Sequence, residues 1–383
     1  MPNKKPSVDL VVAVLAAALL VGGCGSGEPV ESGEPRQTVA ARESARVSAA
    51  SIEELYEAAQ REGQVTAVAF DPRDVVWMGA AFAEAFPGIE LNVRYDLEHL
   101  RPVVRDARSP DPRVDVVLTS LMEGDVLETR GLLARNDWAL FGVPSNRIGL
   151  DGTFGFTNNI VYTVAYDVNR VGPDAAGAAA GAAGAIPATW RELLEPGYQG
   201  RLATNAFVMS RVVAGLGLRW GKDEAVDYAE SLKGRGLLLQ FGDARRLFLD
   251  ENREQTYFVG MVSTVTEQWK EQGLQFDYVV PEPVIMEQQG AAVLTTAPHP
   301  AAARLLAGWL ASEQGKAARR RDARSADLLP DSSDPLARAL HARNVDIVYD
   351  TRDAAALRAE VETAAQLVFA DRSLLGFLRA ILR

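Results

Sequence analysis

Residues 64–95 read QVTAVAFDPRDVVWMGAAFAEAFPGIELNVRY, and the order of elements in them decides the fold. The run 64–70, QVTAVAF, reads as a first strand. Asp71-Pro72-Arg73-Asp74 follows, then a helix over about 75–85 carrying Trp77 and Phe82, with Phe86 just beyond, stopped by Pro87-Gly88. Residues 89–95, IELNVRY, alternate as a second strand. A helix with Leu97, Leu100, Val103 and Val104 comes next. Residues 114–118, VDVVL, then form a short apolar strand suited to a buried parallel sheet. Strand, helix, strand, helix, strand is the pattern of an α/β domain. In such sheets ligands sit beyond the carboxyl ends of the strands. That singles out the loop 70–74, with Asp71 and Arg73 able to meet an amine or a carboxylate, and the pair Thr119-Ser120.

Upstream, SIEELYEAAQREG at 51–63 is a helix with Ser51 as N-cap and Gly63 after its last turn. Residues 25–50 are rich in Gly, Ser, Glu and Pro, so they bury no core and read as a flexible tether. Residues 10–24, LVVAVLAAALLVGGC, follow Lys4 and Lys5, and the apolar part is shorter than the about 20 residues of a spanning helix. The segment has the charged start, apolar middle and small-residue end of a secretion signal. With Cys24 directly after the small residues, it resembles a bacterial lipoprotein signal, in which that Cys becomes the lipidated first residue of the mature chain. Cys24 is the single Cys of the protein, so the expected fold contains no disulfide. No later segment offers 18 uncharged apolar residues.

The chain has 383 residues, 48% of them hydrophobic, and a net charge of −11. Without signal and tether, roughly 330 residues remain, enough for two domains. The acidic balance argues against nucleic acid as a partner. The basic run KAARRRDAR at 316–324 reads as a solvated helix face.

Several stretches, taken in order, carry a family likeness. ELYEAAQREGQVTAVAF (54–70), AFAEAFPGIELNVRY (81–95) and RVDVVLTS (113–120) resemble the opening of the extracellular solute-binding proteins of ABC transporters, nearest to the iron(III) type. PATWRELLEPGYQGRLA (187–203) and TAPHPAAARLLAGWLASEQGKAA (296–318) resemble two later stretches of that family, with Leu306 for its usual Phe and Lys316 for its usual Gln. The resemblance implies a two-lobed type II periplasmic-binding fold, each lobe a mostly parallel sheet flanked by helices. It also implies a small-molecule ligand, a membrane permease as partner, no cofactor and no catalysis. The protein would be a lipid-anchored monomer outside the cytoplasmic membrane. The expected division is signal 1–23, tether 24–50, lobe one 51–160, lobe two 161–280, and a return to lobe one over 281–383 with C-terminal helices.

On that frame, 160–169 crosses from the first lobe to the second. The low-complexity Ala/Gly insert 172–186 is a surface loop. Thr189 caps a short helix, and 201–204 is a strand. Thr204-Asn205 leads into a helix carrying Ser210, where free N–H groups suit an anion or simply receive a cap. Further helices are expected at 224–232, 243–249, 267–272 and 301–312, and strands at 237–241, 257–262, 276–280 and 291–295. Polar Ser263-Thr264 follows the strand at 257–262. His299, between two prolines, reads as a loop or cap residue. A helix opens at 332–335, 346–349 is a strand or edge segment, and 351–383 is largely helical. Its face of Leu374, Phe377, Leu378, Ile381 and Leu382 is expected to pack on lobe one.

For chemistry, His99, His299 and His341 are far apart, and neither a nucleophile elbow nor a P-loop occurs. Iron-binding members of the resembling family use two adjacent tyrosines after a strand of lobe two. Here YFVGMVSTVTEQW (257–269) places Val265 and Thr266 there, and no Tyr-Tyr pair exists in the chain. The expected cargo is therefore a small polar or anionic ligand held by Asp71, Arg73, Thr119, Ser120, Thr204, Asn205, Ser210, Ser263 and Thr264, with no metal site. Iron(III) is a lesser reading, and a ligand-sensing lipoprotein acting on a membrane signalling partner is the alternative function.

Overall fold

The computed structural model describes residues 51–96, 99–171, 184–240 and 253–370. The signal, the tether, Leu97, most of the Ala/Gly insert, the helix expected at 243–249 and the apolar face from Leu374 onward lie outside the described residues.

The first half of the body grows from β1 (Gln64–Ala69), β2 (Glu90–Tyr95) and β3 (Val116–Ser120), parallel in the order β2-β1-β3. Helices α1 (Ile52–Glu62), α2 (Pro72–Ala85), α3 (Leu100–Ala107) and α4 (Leu121–Thr129) alternate with them. Ser51 caps α1 as expected, its hydroxyl accepting from Glu54 N–H, and Gly63 closes it at φ 74°. Helix α2 starts three residues earlier than the sequence suggests. Asp71 takes the N-cap, accepting from Arg73 N–H, and Pro72 occupies the first helical position, where a missing N–H is harmless.

Short strands β4 (Leu133–Ala134) and β5 (Ile148–Gly149) lead to β6 (Phe154–Asp167), which has 14 residues and begins well before the expected 160. Its first part pairs antiparallel with β11 (Val284–Leu294), its second with β9 (Tyr257–Val262) and β10 (Phe276–Val279). Beyond β9 lie β7 (Leu202–Thr204) and β8 (Leu238–Leu239), both parallel to it. Helices α5 (Val168–Val171), α6 (Ala206–Trp220), α7 (Lys222–Gly234) and α8 (Ser263–Glu271) belong to this second half. The chain closes with α9 (Pro300–Ala311), α10 (Glu313–Ala323), α11 (Pro335–Ala342), β12 (Ile347–Val348) and α12 (Ala355–Phe369). The full order β2-β1-β3-β11-β6-β9-β7-β8 makes β6 and β11 the two strands that join the halves.

Two cores follow. Leu55, Met78, Phe82, Leu118 and Trp309 lie in the core that α1, α2 and α9 build on β1 and β3. Trp190, Tyr198, Met209, Val213 and Tyr257 anchor the second. Helix α12 falls within the 281–383 stretch expected to return to lobe one, but it packs elsewhere. Its Val361, Ala365 and Phe369 join the second core against α6 and α7. Gly217 makes this approach possible, because a Cβ there would lie 2.8 Å from Val361. The basic run 316–324 is also not simply a solvated face. Lys316 and Arg319 are buried, with Lys316 Nζ 3.6 Å from Asp327 and Arg319 Nη2 3.0 Å from Asp74. Among the described residues no helix is long and apolar enough to cross a membrane.

The crossing of β6 and β11 is tight at the register shift between Gln289 and Gly290. A Cβ on Gly290 would sit 2.2 Å from the Phe154 ring and 2.6 Å from the Gly155 carbonyl oxygen, and backbone cannot swing aside. Gly290→Ala is expected to lower unfolding free energy by about 1–3 kcal/mol in denaturant titration. An unchanged midpoint would contradict this packing.

Candidate functional site

Strand register places the site. Ser120, the last residue of β3, pairs with Gln289 of β11, which pairs with Asn158 of β6. Val262, the last residue of β9, pairs with Tyr162 of β6. The carboxyl ends of the parallel strands in both halves therefore converge on one stretch of β6, about 13 Å long at the usual rise per residue. Four strand-to-helix corners surround it: β1 into α2, β3 into α4, β7 into α6 and β9 into α8.

The first corner reaches across. Arg73 donates from Nε to both Asp71 carboxylate oxygens at 2.8 and 2.9 Å, and its Nη2 also binds Asp71. Its Nη1 donates to the Thr264 hydroxyl, so the β1–α2 corner touches the β9–α8 corner directly. Burial pushes the Asp71 carboxyl up, but the Arg73 guanidinium outweighs it and holds the group below the usual carboxylate range. Ser263 and Thr264 are not a loop before a later helix. They form the first turn of α8, and both are buried.

At the second corner, Thr119 donates to Glu123 Oε2 at 2.7 Å and meets His99 Nε2 at 2.8 Å. Ser120 and Glu123 form a reciprocal capping box. At the third, the Thr204 hydroxyl donates to the Val259 carbonyl at 2.7 Å. Asn205 accepts from the N–H groups of Phe207 and Val208, and Ser210 donates back to the Ala206 carbonyl at 2.6 Å. Of the two readings for the start of α6, an anion site or a simple cap, the Asn205 side chain supplies the cap. Trp77 is core, its indole N–H donating to Asp74 at 2.9 Å. His299 takes the loop position expected of it, facing Asp115 at 3.0 Å.

The floor carries groups that the sequence reading missed. Glu287 of β11, buried, accepts from Arg211 Nη1 of α6 and Arg358 Nη2 of α12, each at 2.8 Å. Burial raises its carboxyl pKa, but the two guanidinium groups outweigh that and hold it below the ordinary value. Arg358 also binds Asp350 at 2.8 Å. Beside them, Gln289 is 3% exposed, and neither its amide oxygen nor its nitrogen has a hydrogen-bond partner among the described residues. The available signal was the polar run Glu287-Gln288-Gln289 inside an otherwise apolar strand.

The chain matches no established family profile and no curated protein by sequence. Solved structures match its shape. Iron-bound HitA from Pseudomonas aeruginosa superposes with a TM-score of 0.62 at 18% identity, over 80% of this chain and 99% of that one. The apo ferric ion-binding protein A of Pasteurella haemolytica gives 0.64 at 14%, over 81% and 99%. The substrate-binding protein of an ABC transporter from Agrobacterium tumefaciens gives 0.61 at 14%, over 80% and 97%.

This is the type II periplasmic-binding fold.

In that fold the convergent strand ends form the interlobe cleft, with Arg73 on one lobe touching Thr264 on the other. Among the described residues no cluster of three His, Cys, Asp or Glu is placed to hold a metal ion. Thr266, at one of the two positions compared with a tyrosine pair, is fully buried, and Val265 packs on the apolar cluster with Trp269 and Phe276.

Burial pushes the Asp350 carboxyl up to about 6 despite Arg358. A folded-state pKa above the unfolded value means the folded chain holds this proton more tightly. The contribution is fully present below about pH 4 and is lost as pH rises to about 6. Asp350→Asn is expected to remove that component, flattening the wild-type stability-versus-pH curve over this window by at most about 1.4 kcal/mol per pH unit. Parallel curves for the two proteins would contradict the assignment.

Proposed function

We propose that the protein is the solute-binding component of an ABC importer, carried outside the cytoplasmic membrane by lipid on Cys24. Residues 51–160 and 281–342 supply lobe one and residues 161–280 lobe two, while α12 reinforces lobe two. The lobes close on a small polar or anionic ligand, and the closed monomer presents it to a membrane permease. The protein binds and releases; it performs no catalysis and needs no cofactor. The observation that carries this reading is the Arg73–Thr264 contact between the lobes at the point where the strand ends converge.

Within the cleft, Arg73, Ser263, Thr264 and Gln289 are the groups assigned to the ligand, with Asp71 orienting Arg73. An unpaired buried amide costs about 1–3 kcal/mol, a cost that a ligand hydrogen bond removes. Thr119, Ser120, Thr204, Asn205 and Ser210 already serve caps and backbone carbonyls, so their part is to shape the corners. Several relatives of this fold are described as binding iron. The aliphatic side chain of Val265 and the buried hydroxyl of Thr266, neither an anionic phenolate donor, favour a polar organic solute or anion over bare iron(III). A sensing lipoprotein is the second reading, favoured by one feature: Arg358 ties the C-terminal helix to a strand that crosses between the lobes.

Thermal unfolding of the full chain against iron(III) complexes, phosphonates, polyamines, thiamine compounds, amino acids and sugars tests this. The cognate class should add about 2.7 kcal/mol at a roughly hundredfold excess over Kd. Gln289→Leu should raise the stability of the ligand-free protein by about 1 kcal/mol and abolish that gain. A flat panel would contradict import and favour sensing.

A further inference from the structure

Lobe one carries a second, open hollow of about 720 Å³, lined by α3 and the residue after α4. Its lining is Leu100, Arg101, Val104, Arg105, Arg108, Ser109 and Arg130, and it shares no residue with the cleft. No carboxylate lines it. Among the described residues, none of the four guanidinium groups makes a hydrogen bond or an ion pair. Three acids close by in sequence, Asp106, Asp125 and Glu128, are engaged elsewhere. Asp106 accepts the backbone N–H groups of Arg113 and Val114, and Asp125 and Glu128 hold Arg352 at 2.7 and 2.6 Å.

This arrangement works against the helix that carries it. Arg101 and Arg105 of α3 and its C-cap Arg108 follow one another at spacings of four and three residues, where like charges repel. Arg101 stands in the first turn, at the positive end of the helix dipole, and that turn itself contains no acid. A chain of net charge −11 nevertheless gathers around one concavity four arginines that are unpaired among the described residues. An anion seated there would relieve both the repulsion and the dipole conflict.

We propose that this hollow binds a phosphate-bearing polyanion. Guanidinium forks match the oxygens of a phosphate in pairs, and several arginines together suit a group carrying more than one charge. The Ser109 hydroxyl accepts from Asp111 N–H and keeps its own proton to donate. Leu100 and Val104 give the hollow an apolar wall. The phosphate can belong to a free solute or to a phospholipid headgroup, and the two sources separate experimentally.

The test is calorimetric titration of the full chain with inorganic pyrophosphate at low salt. It is compared with the triple variant Arg105→Gln, Arg108→Gln, Arg130→Gln and with the cleft variant Arg73→Gln. All three substituted arginines of the hollow are exposed, and circular dichroism checks that the fold is kept. Wild type and the cleft variant should bind alike, the triple variant at least about tenfold more weakly, and added salt should weaken wild-type binding. Sedimentation with phosphatidylglycerol-containing vesicles forms the second arm. A loss of vesicle binding in the triple variant, reversed in wild type by competing pyrophosphate, identifies the headgroup as the source. Equal sedimentation together with a pyrophosphate difference identifies a free phosphate. Pyrophosphate binding that is lost in Arg73→Gln but kept in the triple variant would overturn the proposal. So would the absence of any wild-type difference from the triple variant in both arms.

Discussion

A carboxylate removed from water stays charged only where cations replace the water, and Glu287 is placed under that constraint in the middle of a strand joining the two lobes. Arg211 reaches it from α6 and Arg358 from α12, each at 2.8 Å. Two helices far apart in sequence are thereby pinned to one carboxylate. Loss of either cation would leave buried charge uncompensated, a defect on the order of 3–5 kcal/mol. The C-terminal helix is held on lobe two by this charge as much as by Val361 and Phe369.

The same constraint shapes the cleft. Because β6 and β11 cross side by side, the carboxyl ends of β1, β3, β7 and β9 meet over their middle, and the helices that follow point their first turns inward. Most of the polar groups there satisfy their own elements: the capping box of Ser120 and Glu123, the Asn205 cap, the Thr204 bond to Val259. On the proposed function, what is left for a ligand is small in number and spread across both lobes. Arg73 is held straight by Asp71 and rests on Thr264, and Gln289 sits beneath without partners. An arrangement in which one lobe's arginine already touches the other lobe's hydroxyl is suited to hinge closure, since the contact can be exchanged for a ligand.

Much of this was legible in the sequence. The parallel βαβαβ opening, the Ser51 cap, the strand at 257–262 and the helix after Pro300 follow from periodicity and punctuation alone. The polar residues at strand ends fell at the four corners because parallel sheets place loops there. Three things escaped. The length of β11 was hidden because Glu287-Gln288-Gln289 looks like solvent-facing chain, and only the partners Arg211 and Arg358 make it a buried strand. The first turns of α2 and α8 read as loops because Asp71-Pro72 and Ser263-Thr264 resemble turns until their caps and burial are known. Lys316 and Arg319 read as solvated charge because their partners, Asp327 and Asp74, are brought to them only by the fold. The first and last of these misses are charges or amides whose burial depends on distant partners, which local pattern does not record.

The account stands on the two lobes being a hinged pair held in contact by Arg73. Electron-spin distance measurement tests this most directly. Labels would be placed at Val76→Cys on α2, which is 82% exposed, and at Glu230→Cys on α7, in a Cys24→Ser background. The account predicts one short interlobe distance with Arg73 present, and a shift to a longer, broader distribution when Arg73→Ala is added. The same narrow distribution in both proteins would contradict it.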